Sequence, residues 1–129
     1  MTFASRHNSA SRKFNFTIPD GFEYQNLVEM VNVYGADAVH KVNALYINKK
    51  GKYGDAPVIV TDNELVNAPG HMLDTILEVL IDGESLSLIN NGYVGFKVYG
   101  YTNEHGEHFG IEWVDIDPKK YEPATPVKA

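Results

Sequence analysis

The periodicity of apolar residues changes from strand-like to helical and back along this chain, and the order of those changes limits what it can fold into. Three segments read as strands, at 22–27, 38–48 and 56–61. A helical stretch begins near Pro69, and two further strands at 93–101 and 108–115 are joined by a tight hairpin. From His40 to Asn48 the residues alternate, with Val42, Ala44 and Tyr46 on one face and Lys41, Asn43, Leu45 and Ile47 on the other. Both faces are mixed, as in a long strand that curves around a barrel. Gly51 suits a turn after Lys49 and Lys50, and Pro57 suits the first residue or the edge of the third strand.

The helix rests on spacing. Met72, Leu73, Ile76, Leu77, Val79 and Leu80 form a broad apolar stripe opposite Asp74, Glu78 and Asp82, with Asn67 as a candidate N-cap. Gly83 interrupts the stripe. Leu86, Leu88 and Ile89 then form a second short helical piece that stops at Asn90-Asn91-Gly92, a run suited to a left-handed cap. In the next strand Val94, Phe96 and Val98 face the core, and Tyr93, Lys97, Tyr99 and Tyr101 share the outer face. In the last strand Phe109, Ile111 and Trp113 share a face, and Trp113 is expected in the core. Strands, helix and hairpin in this order match an all-β fold with one helix, an OB-like five-stranded barrel whose helix lies between strands three and four and plugs the open end.

At 129 residues with 43% hydrophobic residues, the chain fits one domain able to bury a single core. The expected organisation is a mobile basic arm over 1–13, an OB-like domain over 14–117 and an extended tail over 118–129. No apolar run approaches the roughly eighteen residues of a membrane span, and no signal-peptide pattern opens the chain, so it is expected in the cytoplasm without a membrane partner. Cysteine is absent, which removes disulfides, thiolate metal sites and a cysteine nucleophile. Net charge is −6, unevenly spread. Residues 1–61 carry seven Lys or Arg against five acids, whereas 62–118 carry eleven acids against Lys97 alone.

Enzyme motifs are missing. Ser85 and Ser87 have no Gly-x-Ser-x-Gly turn, no Gly-rich phosphate loop leads into a helix, and close acidic pairs such as Asp62 and Glu64 are expected by chance among 17 acids. No catalytic residue and no cofactor is expected. His105 and His108, flanked by Glu104 and Glu107, lack a third metal ligand at suitable spacing and read as ordinary polar hairpin residues. The Tyr-Lys-Tyr face is more suggestive. Aromatic rings beside lysines on an exposed sheet can stack bases and hold phosphates. The candidate nucleic-acid-binding residues are Lys41, Tyr46, Lys49, Lys50, Lys52, Tyr53, Lys97, Tyr99 and Tyr101, with Tyr46 sharing the parity of Val42 and Ala44 and so able to point inward.

The stretch LYINKKGKYGDAPVIVTDN, the helix, and NNGYVGFKVYGYTNEHGEHFGIEWVD resemble the small proteins encoded by phages and plasmids of Gram-positive bacteria, some described as single-stranded DNA-binding proteins. The resemblance covers about 14–117. It implies an OB barrel, often dimeric or larger, that coats replication or recombination intermediates of a mobile element, in the host cytoplasm if phage-encoded. It also implies single-stranded DNA, further copies of the chain, and replication or recombination proteins as partners. The acidic tail tip of housekeeping single-strand binders is missing. The alternative is a non-enzymatic interaction module whose acidic second half binds or inhibits a host or phage protein.

Overall fold

The computed structural model describes residues 14–36, 38–48 and 55–126. Its strands are β1 (Tyr24–Gln25), β2 (His40–Lys41), β3 (Ala44–Asn48), β4 (Ala56–Val60), β5 (Leu65–Asn67), β6 (Val94–Asn103) and β7 (Gly106–Asp115). The helices are α1 (Leu27–Tyr34), α2 (Leu73–Leu80), entered through a 3₁₀ turn at Gly70–Met72, and α3 (Gly83–Asn90). The strands form two sheets, one ordered β1-β5-β4-β3 and the other β2-β6-β7.

The expected β-rich class holds, but two details of the expected barrel do not. The described residues form three α-helices rather than one, and the described strands close no barrel. Segment 22–27 contributes only the two residues of β1, because Asn26 caps a helix there: its side chain accepts a hydrogen bond from the Glu29 amide, and Leu27, Met30 and Tyr34 recur at helical spacing as the buried residues. The short β5, absent from the expected set, takes the place beside β4 and pairs on its far side with β1 in parallel. The β5 strand owes its pairing partly to a local turn, in which the Thr61 hydroxyl accepts from the Glu64 amide and the Thr61 amide donates to the Glu64 carbonyl.

The expected bent strand takes a specific form. The Val42 amide donates to Val94 of β6, and the next amide, Asn43, donates to Val60 of β4. The path from His40 to Asn48 thus leaves one sheet and enters the other within two residues, and it joins the two layers over a shared core. Phe96 and Val98 come from the three-stranded sheet, Val58, Ile59, Val60 and Val66 from the four-stranded one, Met30 from α1 and Ile76 from α2. Pro57 lies within β4, an interior strand rather than an edge.

The helical stretch breaks where the glycine predicts, although α3 is capped by Asp82, whose carboxylate accepts from the Ser85 amide. Gly92 adopts φ +85° after α3, a backbone state that disfavours any residue with a Cβ. The final hairpin pairs Val94 with Asp115 through to Asn103 with Gly106 without a bulge. Trp113 departs from its expected core position. It is 37% exposed because it sits where the sheet meets α2 and α3, lining a 280 Å³ groove with Leu45, Val79, Leu88 and Val94.

Candidate nucleic-acid interface

Antiparallel partners project their side chains to the same side of a sheet, so register defines the outer face of β2-β6-β7. Lys41 stands opposite Gly95, Lys97 opposite Glu112, Tyr99 opposite Gly110, and Tyr101 opposite His108. The other side carries Phe96, Val98 and His40, all buried. Four of the sequence-nominated residues, Lys41, Lys97, Tyr99 and Tyr101, therefore share one face.

The aromatic part of that face is continuous. The Tyr99 and Tyr101 ring centroids are 5.9 Å apart, and Tyr101 stacks on His108 at 5.4 Å with an interplanar angle of 27°. Tyr99 lies over Gly110, where a Cβ would come within 2.7 Å of its ring. The glycine thus lets a tyrosine lie flat across the neighbouring strand. Tyr99 and Tyr101 remain 44% and 41% exposed, and among the described residues neither hydroxyl has a hydrogen-bond partner. At the other end the Ile116 side chain covers Gly95, and the Lys41 side chain runs beside Gly92. Lys97 has no carboxylate within ion-pair distance among the described residues, although Glu112 is its register partner.

The remaining nominated residues do not join this face. Tyr46 lies on the four-stranded sheet opposite Val58, half-buried, with its hydroxyl 2.6 Å from that of Tyr24. Burial, and then the Tyr24 hydroxyl, raise its pKa above the ordinary tyrosine value. Lys49, Lys50, Lys52 and Tyr53 lie outside the described residues. His108 was nominated only as a hairpin residue, yet it extends the Tyr101 stack, and its Nε2 lies 3.0 Å from the Asn103 side-chain oxygen. The signal that could have found it is register, since a two-residue hairpin tip places His108 beside Tyr101. Among the described residues, no three His, Asp or Glu side chains converge on a point that could hold a metal.

A second polar cluster went unnoticed in the sequence. The Asp62 carboxylate accepts from the Asn43 side-chain Nδ2 at 3.0 Å and from the Tyr121 hydroxyl at 2.8 Å, and the Tyr121 oxygen accepts from the Lys41 backbone amide at 3.2 Å. The Glu64 carboxylate accepts from the Tyr34 hydroxyl at 2.6 Å and from Thr61 at 3.1 Å. Burial, then the bond to Glu64, pushes the Tyr34 hydroxyl up to about 12, and burial with the Asp62 bond raises Tyr121 as well. His40, packed between the Tyr34 and Phe96 rings, is held at about 4 by burial, against a smaller opposing pull from Asp62. Both carboxylates of the Asp62–Glu64 pair are committed to internal donors, so the cluster acts as a brace that ties the segment after β7 to β2. Its overlooked signal was a lone tyrosine in a proline-containing tail.

No protein-family model matches this chain, and neither a curated protein nor a solved structure matches it. No described helix is long and apolar enough to cross a membrane.

Proposed function

We propose that this chain binds single-stranded DNA without sequence preference, through the outer face of its three-stranded sheet. The observation that carries the reading is the sharing of one face by Lys41, Lys97, Tyr99 and Tyr101, with the two tyrosines exposed and adjacent. Exposed rings offer π-faces that every base can stack on, at about 1–3 kcal/mol per base, while the ammonium groups take phosphates. Lys49, Lys50 and Lys52 are proposed as further phosphate contacts and Tyr53 as a further stacking ring, all four lying outside the described residues. The element order after β1 and α1 supports an open OB-like arrangement: a bent strand shared by two sheets, two more strands, helices, and a closing hairpin. The biological setting in this reading is replication or recombination of a phage or other mobile element, with coating of its intermediates. The chain catalyses nothing in this reading and works as a binding module.

Titration with oligo(dT) against duplex DNA at two salt concentrations tests the proposal. Quenching of tyrosine fluorescence selective for the single strand, with affinity falling as salt rises, is the expected result. Undetectable or salt-independent binding would overturn it.

One observation favours a second reading, that of an acidic interaction module. Ile81, in the link between α2 and α3, is 84% exposed, and Leu77 and Leu88 on those helices are 45% and 42% exposed, close in sequence to Glu78, Asp82 and Glu84. Apolar side chains among acids on one surface suit a basic, partly apolar protein partner. A partner retained in a native pull-down after nuclease treatment would favour that reading over DNA binding.

A further inference from the structure

The three-stranded sheet treats its two edges differently. Strand β2 is two residues long, and its outward Lys41 amide is satisfied by the Tyr121 hydroxyl. Strand β7 is ten residues long and, among the described residues, has β6 as its one neighbour in the sheet. Long edges are normally blunted by lysine, proline or a bulge. The β7 sequence, GEHFGIEWVD, contains no lysine or proline, and its pairing with β6 runs without a bulge.

The ladder fixes which backbone groups this edge presents. The Ile116 amide donates to the Tyr93 carbonyl at 2.8 Å, and antiparallel pairing alternates from there. Val114, Glu112, Gly110 and His108 therefore turn their amides towards β6. The amides and carbonyls of Glu107, Phe109, Ile111, Trp113 and Asp115 point away from it. Phe109 and Ile111 are half-buried and Trp113 is exposed, so an apolar strip follows the same edge.

We propose that this edge pairs antiparallel with the same edge of a second copy of the chain, with Gly110 on the two-fold axis. The β7 sequence is self-complementary in that register. Phe109 and Ile111 of opposite copies form two mutual pairs on the inner side. His108 stands opposite Glu112 twice on the outer side, at non-hydrogen-bonded positions where side chains approach most closely. His105 at the hairpin tip stands opposite Asp115, again twice. Moving the axis to Ile111 loses all of these imidazole–carboxylate pairings and sets Glu107 against Asp115. An isologous contact of this kind closes on itself as a dimer. It makes a continuous six-stranded sheet in which Lys41, Lys97, Tyr99 and Tyr101 of both copies lie on one side. The proposal does not rest on DNA binding, since a chain that dimerises this way without binding DNA leaves it standing.

Sedimentation across a concentration series, with hydrogen exchange on the same samples, tests it on the full chain. The expected species has twice the 14.4 kDa chain mass. Amides of Phe109, Ile111 and Trp113 should exchange slowly in that species and faster on dilution, while those of Gly110 and Glu112 stay unchanged. His108→Glu replaces two imidazole–carboxylate pairings with two pairs of like charges and should weaken association about tenfold. Adding Glu112→His to that variant should restore it. A monomer at every soluble concentration overturns the proposal, including one whose β7 amides are protected by its own residues 1–13. So does a dimer in which those amides exchange freely, or one in which the single and double variants associate equally. If His108→Glu does not fold, the dilution dependence of exchange in the unaltered chain decides the matter alone.

Discussion

Tyrosines serve two opposed purposes in this molecule. Around Asp62 and Glu64 they are inward clamps: Tyr34 is buried, Tyr121 is half-buried, and each donates its hydroxyl to a carboxylate. On the outer face of β6, Tyr99 and Tyr101 turn their rings to solvent and leave their hydroxyls without a protein partner among the described residues. The difference teaches where stability and binding should separate. Cutting the clamp should lower stability while leaving the exposed rings of the outer face in place, and cutting the outer face should weaken binding while leaving stability nearly unchanged.

The largest effect is expected at the clamp. Asp62→Ala strands the Asn43 side-chain Nδ2 and the Tyr121 hydroxyl in a partly buried site, and each lost acceptor leaves a donor to bear its desolvation cost. Unfolding stability should fall by about 2–4 kcal/mol in urea titration. A loss below about 0.5 kcal/mol would mean that the brace is incidental and that the comparison with the outer face fails.

Next comes acid. Folding holds His40 at about 4, below the ordinary value of 6.5, because its buried ring resists charging. The unfolded chain therefore binds the proton first, so stability is full above about pH 6.5 and is lost as pH falls through 4. The loss should approach about 3 kcal/mol at the acid end. His40→Phe should flatten that part of the pH–stability curve, whereas Tyr101→Ala should leave it unchanged.

On the outer face the effect moves from stability to binding. Tyr101→Ala removes one stacking ring and interrupts the step to His108. Affinity for oligo(dT) should fall by about 1–3 kcal/mol, while urea stability changes by less than about 1 kcal/mol. Equal losses in both measurements would show that Tyr101 is a packing residue like Tyr34.

Much of this division was legible in the residues, and what was missed has physical causes. The alternation Val94-Phe96-Val98 against Lys97-Tyr99-Tyr101 gave the correct two faces of β6, since a half-buried strand writes its environment at every second residue. Gly92 marked the end of α3 because its φ of +85° needs a residue without a Cβ, whereas Gly83 lies inside α3 and the boundary there is set by the Asp82 cap. The helix at Leu27–Tyr34 escaped notice because its β-branched valines mimic a strand, and the deciding cap at Asn26 is a single side chain. Asp62, Asn43 and Tyr121 are up to 78 residues apart in the sequence, and no local pattern brings such residues together. Trp113 was misplaced because parity predicts which side of a sheet a residue faces but not where the covering layer ends.

The smallest effect isolates charge from rings. Lys97 lies beside the tyrosine pair with no ion-pair partner among the described residues, so Lys97→Gln alters one positive charge and little packing. If its ammonium neutralises one phosphate, log K against log salt should become shallower by about 0.7, the increment for one contact on a single strand. Affinity in low salt should fall, and binding in high salt should converge on that of the unaltered protein. Tyr101→Ala should instead lower affinity at every salt concentration with the slope unchanged, because stacking releases no counterions. Two variants a few residues apart on β6 would then differ in kind rather than degree. That outcome is what an exposed face built from separate rings and cations predicts, and what a tyrosine clamp built from hydrogen bonds to carboxylates does not.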